Sequence, residues 1–232
     1  GIGLEIATRL LEGGSTVGLV GRTFNQAEPL FETYPKTAFR FPCDLRDSAQ
    51  LDTLAREASE KMGGIDGVVH GAGIIRHRTL SDISEQDISE QIETNLLAPI
   101  RLTKALLPVL EDGGALLFLS STLSKRPIST SAIYSATKGG LDAFMKSVAI
   151  EGASRQIRSN SLVLGMVDTP MIREKRPGQG EGAEPDKTGF SELHLLGKLG
   201  APTDIAEVGM GLLAAPWMTG AEIVLDGGLL LK

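Results

Sequence analysis

The sequence predicts an α/β fold, a doubly wound parallel sheet with helices on both faces. Three observations predict it. Short apolar runs alternate with longer amphipathic stretches along the whole chain. The runs are Val- and Leu-rich, as expected of strands buried on both sides. Several of them run into glycine or a small polar residue, where a parallel sheet places its loops and ligands.

The elements follow in order. "GIGLEIATRL" reads as the second half of a glycine-rich turn, Gly1-Ile2-Gly3, running into an amphipathic helix. "STVGLVGR" is a buried strand closed by Gly21, and "KTAFRFPCD" a second strand ending at Asp44. Residues 48–62 have helical periodicity and stop at Gly63-Gly64, a helix C-terminal signal. "IDGVVHGAG" is a third strand. Residues 85–110 form a long helix interrupted around Pro99 and ended near Pro108. "GALLFLSS" is a fourth strand ending at Ser121. Residues 135–154 form a helix with Leu141, Phe144, Met145, Val148 and Ala149 as its apolar positions. "IRSNSLVLG" is a fifth strand. Residues 173–189 are rich in Gly, Pro and charge and read as a loop or lid. A helix over 204–214 and the strand "AEIVLDGG" complete the chain. No repeat or linker is visible, so 1–232 is expected to be one domain, with a polar substrate loop near 168–198.

Composition narrows the function. A net charge of −6 and a pI near 5.2 disfavour nucleic acid as a partner. No run approaches the roughly 20 apolar residues of a membrane span, and no signal peptide is visible. The single cysteine, Cys43, allows no intrachain disulfide and suits a reducing, cytoplasmic setting; its plainest role is a small buried apolar residue. No metal-ligating cluster is read from the sequence.

Two patterns carry chemistry. A glycine turn opening a helix brings backbone N–H groups to a pyrophosphate, and the helix dipole favours that negative charge. Alone, the turn could equally be a frayed terminus. Tyr134 and Lys138 lie four residues apart near a helix start, hence on one face. An ammonium beside a phenol lowers the phenol pKa from about 10, which makes tyrosine a usable acid or base. Ser121 ends the preceding strand at the same carboxyl edge, where its hydroxyl can bind a substrate oxygen. The ordinary alternative is a surface i,i+4 pair, and the agreement of turn, serine and strand order disfavours it.

On the motifs "GIGLEIA", "FPCDLRD", "IDGVVHGAGI", "ETNLLAPIRLT", "LLFLSS", "YSATKGGLDAFMKSVAIE", "IRSNSLVLGMVDTPM", "GKLGAPTDIAEV" and "TGAEIVLDGG", the sequence resembles the short-chain dehydrogenase/reductase family over almost its whole length. The resemblance implies a Rossmann-like sheet whose first strand and first turn glycines would lie upstream of Gly1. A segment of roughly a dozen residues, one short strand and its turn, is therefore expected before the first residue. It also implies roles. Tyr134 would be the general acid/base. Lys138 would hold the nicotinamide ribose and depress the Tyr134 pKa. Ser121 would orient the carbonyl, and Asn95 would keep a water in the proton relay. Gly1, Ile2 and Gly3 would cradle the pyrophosphate. Asp44 would accept from the adenine amino group, with Leu45 beside the ring. Gly71, Ala72 and Gly73 would line the cofactor, and Val167 and Thr169 would meet the nicotinamide amide.

Cofactor choice rests on the end of the second family strand, where a carboxylate would bind the NAD ribose and repel a 2′-phosphate. Gly21 stands there, followed by Arg22, whose guanidinium suits phosphate. NADPH is therefore favoured, with NAD possible; a solvent-facing Arg22 without a role is the alternative. Three departures from the family stand out: the usual N-N-A-G is His70-Gly71-Ala72-Gly73, with His70 read as a structural strand-end residue, the usual Pro-Gly is Leu164-Gly165, and "LLAAPWMTG" is slightly shorter than the family norm. Arg76, His77, Arg78, Lys125 and Arg126 fall on loops bordering the expected mouth, either as a cationic rim for an anionic substrate or as ordinary solvated residues. The expected activity is NADPH-dependent reduction of a ketone or aldehyde carbonyl, 3-oxoacyl or similar. An NAD-dependent alcohol dehydrogenase and a non-catalytic dinucleotide-binding regulator are the alternatives. The resemblance also implies a homodimer or homotetramer.

Overall fold

The computed structural model describes residues 1–174 and 186–232. Among the described residues there are six strands, β1 (Val17–Gly21), β2 (Ala38–Pro42), β3 (Ile65–His70), β4 (Leu110–Ser121), β5 (Arg158–Leu164) and β6 (Glu222–Leu225). All six stretches predicted as strands form them, and every pairing is parallel. The ladder is not continuous: β1 and β2 form one pair, and β3-β4-β5-β6 form a four-stranded sheet. The edges of β1 and β3 both line one cavity and are not paired with each other.

Eight α-helices among the described residues surround the strands: α1 (Ile2–Glu12), α2 (Glu28–Thr33), α3 (Ser48–Met62), α4 (Glu85–Ile92), α5 (Ala98–Leu106), α6 (Ala132–Gly152), α7 (Lys187–Glu192) and α8 (Pro202–Ala214). The period-2 geometry of a strand divides β4 between two layers. Leu116 and Phe118 pack with Leu51 and Leu54 of α3, Leu102 and Leu106 of α5, and Leu141 and Met145 of α6. Leu117 and Leu119 face the other way, onto Ile6 of α1 and Ile205 and Leu212 of α8. This is the two-faced arrangement that continuously apolar strands require.

The long helix expected over 85–110 is instead three pieces. Between α4 and α5 the chain makes a π-turn, Glu93–Leu97. Pro99 has no N–H to give the Asn95 carbonyl, so a regular α-turn cannot close there. The 168–198 loop is described in part: Pro170–Arg173 is a short 3-10 turn and α7 follows, while 175–185 lie outside the described residues. No helix among the described residues is long and apolar enough to cross a membrane.

Candidate active site

Parallel pairing brings strand ends together. His70 pairs with Phe118, Ser121 with Leu164, and Leu164 with Leu225, so the chain turns off three neighbouring strands at one edge. Beside that edge, and running on between β1 and β3, lies a cavity of about 1020 Å³. Gly1, Ile2, Gly3, Leu45, Gly71, Ala72, Gly73, Ser121, Tyr134, Lys138, Val167 and Thr169 all line it. Three residues expected at the site do not: Asn95 is buried behind the wall, and Arg22 and Asp44 stand outside the lining.

The serine hydroxyl is oriented by its own turn. Ser121 caps the 3-10 turn Thr122–Ser124, its Oγ accepting from Leu123 N–H at 3.2 Å. With that lone pair engaged, its O–H remains able to donate. Tyr134 sits in the first turn of α6, buried, and its phenol meets the Ser121 hydroxyl. Lys138, one turn further on, donates from Nζ to the Leu119 carbonyl at 2.7 Å and lies 5.6 Å from the Tyr134 ring centre.

The ionisation of this pair departs from expectation. Burial pushes the Tyr134 phenol up to about 12, against the lowering effect of the Ser121 hydrogen bond. Burial also pulls Lys138 down to about 8, opposed by the charge of Asp142. Desolvation penalises both charged forms and outweighs the acidifying effect that the Tyr–Lys spacing suggests. The phenol therefore holds its proton near neutral pH, the form that a proton donor needs.

Asn95 is 0% exposed and grips one backbone unit twice. Its Oδ1 accepts from Ile74 N–H and its Nδ2 donates to the Ile74 carbonyl, both at 2.8 Å. This side-chain amide fixes the strand-end segment Gly71–Ile75, so any relay through Asn95 would use its main-chain carbonyl. His70 is structural, as expected: its ring stacks on Phe118 at 4.4 Å, and its Nε2 lies 3.0 Å from Thr103 Oγ1. Burial drives its pKa down to about 3, so it stays neutral.

The residues fit a dinucleotide. The N-terminus of α1 has no side-chain cap at Gly1, and its first N–H groups have no partner within the helix. A Cβ on Gly73 would lie 3.7 Å from Lys138 Nζ and 3.4 Å from Asn95 Oδ1, filling space beside the lysine. Asp44 is held well below the usual carboxylate range, to about 2, by the side-chain hydrogen bonds of Arg46 at 2.7 and 3.0 Å. An adenine amino group would have to share that carboxylate. Arg22 is exposed, close enough to Asp44 to act on its charge. Among the described residues, no group of three His, Cys, Asp or Glu side chains could hold a metal.

Of the expected cationic rim, Arg76 and Lys125 are neutralised, while Arg78 donates to the His77 carbonyl at 2.8 Å. Arg76 meets Asp87, Glu90 and Glu174 at 3.2–3.6 Å, and Lys125 meets Asp142 at 3.1 Å and also Glu222. His77 is buried. Of the named set, His77 and Arg126 line the cavity, and Arg126 donates to the Leu229 carbonyl at 3.3 Å.

Fold and site together define a dinucleotide-dependent oxidoreductase, acting at a carbonyl or its alcohol. The chain belongs to the short-chain dehydrogenase/reductase family: the family model described as enoyl-(acyl carrier protein) reductase matches residues 1–230. Among curated proteins it is 28% identical to mouse 3-oxoacyl-[acyl-carrier-protein] reductase over 230 residues, 99% of this chain and 93% of that one. A Brucella melitensis 3-ketoacyl-(acyl-carrier-protein) reductase complexed with NADH is 26% identical, with a TM-score of 0.88 over 99% of this chain and 93% of that one. A blue fluorescent protein from a metagenomic library, in complex with NADPH, is 25% identical with a TM-score of 0.87 over the same shares.

Proposed function

We propose that this chain reduces a ketone or aldehyde carbonyl of the 3-oxoacyl type with NADPH, Tyr134 giving the proton. The observation that carries the proposal is the meeting of two buried hydroxyls, Ser121 and Tyr134, above a buried lysine in one cavity. The bound nicotinamide would supply the hydride. Ser121 O–H, turned from the phenol to the substrate, would hold the substrate oxygen. Tyr134 would pass its proton to that oxygen as it gains charge, and the Lys138 ammonium would stabilise the phenolate left behind. Gly21 in place of a carboxylate, followed by Arg22, supports NADPH over NADH, and the named relatives support a 3-oxoacyl substrate. The whole chain acts as one domain. The exposed Ile150 on α6 and Trp217 after α8, 78% and 99% accessible, suit contact with further copies in a homodimer or homotetramer. A single buried thiol suits the cytoplasm.

The test is turnover of 3-oxoacyl, enoyl and simple carbonyl substrates with NADPH and NADH, repeated with Tyr134→Phe. That substitution is expected to cost about 10²–10⁴-fold in kcat while sparing NADPH binding. Undiminished carbonyl turnover by Tyr134→Phe would refute the assignment, and turnover confined to enoyl substrates would move the chemistry to a carbon–carbon double bond.

A further inference from the structure

Tyr134, Lys138 and Asp142 follow one another at four-residue intervals on α6, so all three project from one side of the helix. Asp142 is only 3% exposed, a carboxylate that burial would penalise unless it is paired. It is paired three ways. Oδ2 accepts from Ser124 Oγ at 2.7 Å and meets Lys125 Nζ at 3.1 Å, and Oδ1 accepts from Ser161 Oγ at 3.3 Å. Ser124 closes the short turn that begins directly after Ser121, and Ser161 belongs to β5. Lys125 continues to Glu222 of β6, which returns to α6 through Lys146 at 2.6 Å. The charges alternate along this ladder, and it binds the Ser121 turn, α6 and β6.

We propose that Asp142 is a positioning residue: its carboxylate fastens the turn carrying Ser121 to the helix carrying Tyr134, and sets a fixed negative charge one turn from Lys138. The proposal rests on the carbonyl reduction proposed above. Ser121 and Tyr134 come from different elements, yet both hydroxyls must reach one substrate oxygen. A misplacement of about 1 Å between such groups costs on the order of 10²-fold in rate. The electrostatic part follows from burial. Lys138 is desolvated, and the charge of Asp142 acts against that loss. The charged groups facing Asp142 are Lys138 and Lys146 on its own helix, Lys125 after β4, and, through Lys125, Glu222 on β6; β5 offers only the Ser161 hydroxyl.

Two substitutions should move Lys138 in opposite directions, which general damage would not do. Asp142→Asn keeps the shape and removes the charge, so the ammonium loses support and titrates lower. Lys125→Met leaves Asp142 less compensated, so Lys138 titrates higher. Lysine side-chain NMR on 13C-labelled protein reads both midpoints without any substrate, and kcat against pH reads the functional consequence. Asp142→Asn should lower the midpoint by about one pH unit and move the alkaline limb of kcat the same way. It should also cost about tenfold in kcat, with NADPH affinity nearly unchanged. Ser124→Ala, which cuts one tie and keeps the charge, should lower kcat with the midpoint unmoved. If Asp142→Asn fails to fold, Lys125→Met and Ser124→Ala decide the question. Midpoints that stay put or move together, or a kcat indifferent to Ser124, would overturn the proposal. A wild type that turns over no carbonyl would instead refute the reduction, with the NMR midpoints still judging the electrostatic role of Asp142.

Discussion

Replacing Asn95 by alanine removes the side chain that holds both polar groups of Ile74. The two hydrogen bonds are 2.8 Å long, one to the Ile74 N–H and one to its carbonyl. Asn95 is fully buried and Ile74 half-buried, so water does not readily replace them. An orphaned buried donor or acceptor costs about 1–3 kcal/mol, so the pair should cost roughly 2–5 kcal/mol. In a chain of this size each kcal/mol corresponds to about 2–4 °C in Tm. Urea denaturation of wild type and Asn95→Ala, followed by circular dichroism, measures the loss directly. Asn95→Asp adds a control of sign. It keeps an acceptor for the Ile74 N–H but turns a second acceptor toward the Ile74 carbonyl, so it should recover only part of the loss. A loss below about 0.5 kcal/mol for Asn95→Ala would mean that the segment after β3 does not depend on this amide.

Three further outcomes are expected. A Cβ at Gly165 would lie 2.8 Å from Asp226 Cα and 3.0 Å from its carbonyl oxygen, so Gly165→Ala should destabilise by about 1–3 kcal/mol and weaken NADPH binding in a fluorescence titration; an unchanged Tm would refute the contact. His70 has a folded pKa of about 3, below its unfolded value near 6.5, so its share of stability is complete above pH 6.5 and is lost as pH falls towards 3. The expected loss is on the order of 3 kcal/mol by pH 4, and His70→Gln should flatten that acid limb in denaturation curves run from pH 7 to 4. Arg22→Asp should reverse the cofactor preference, costing NADPH roughly ten- to a hundredfold in KM relative to NADH; an unchanged ratio would leave Arg22 a solvated side chain.

The strands were legible because their signal is local. Short apolar runs bounded by turn residues need no long-range information, and all six form where that pattern puts them, the Phe-bearing β2 included. The glycine stop at Gly63 was equally plain: its φ of 77° is one that most side chains avoid. The π-turn was half visible. Pro99 announced an interruption, but where the extra residue would bulge depends on the grip of Asn95 on Ile74, twenty-one positions away. The short helix α2 carries too few apolar positions to show a period. The rim cations misled because a loop lysine or arginine looks the same in sequence whether solvated or tied. Only the fold shows Asp87, Glu90 and Glu174 converging on Arg76. Asp142, by contrast, stood in plain view, four residues after Lys138.

These observations bear on how a buried site keeps charge. The same desolvation raises Tyr134 and lowers Lys138, so burial favours two neutral groups over an ion pair. A neutral lysine cannot stabilise a phenolate, and at a midpoint of about 8 a useful fraction of it would be neutral in mildly alkaline solution. The site therefore needs a negative charge close enough to act yet not close enough to take the proton or to bind the ammonium outright. A carboxylate one turn along the helix, already occupied by two hydroxyls and Lys125, meets both conditions. Its ties leave it acting on Lys138 through field rather than contact, and the ammonium stays directed at the Leu119 carbonyl beneath the cavity floor. On the mechanism proposed above, the Tyr–Lys pair would have a third member, and the phenolate left by proton transfer would be stabilised because the lysine beside it is kept charged.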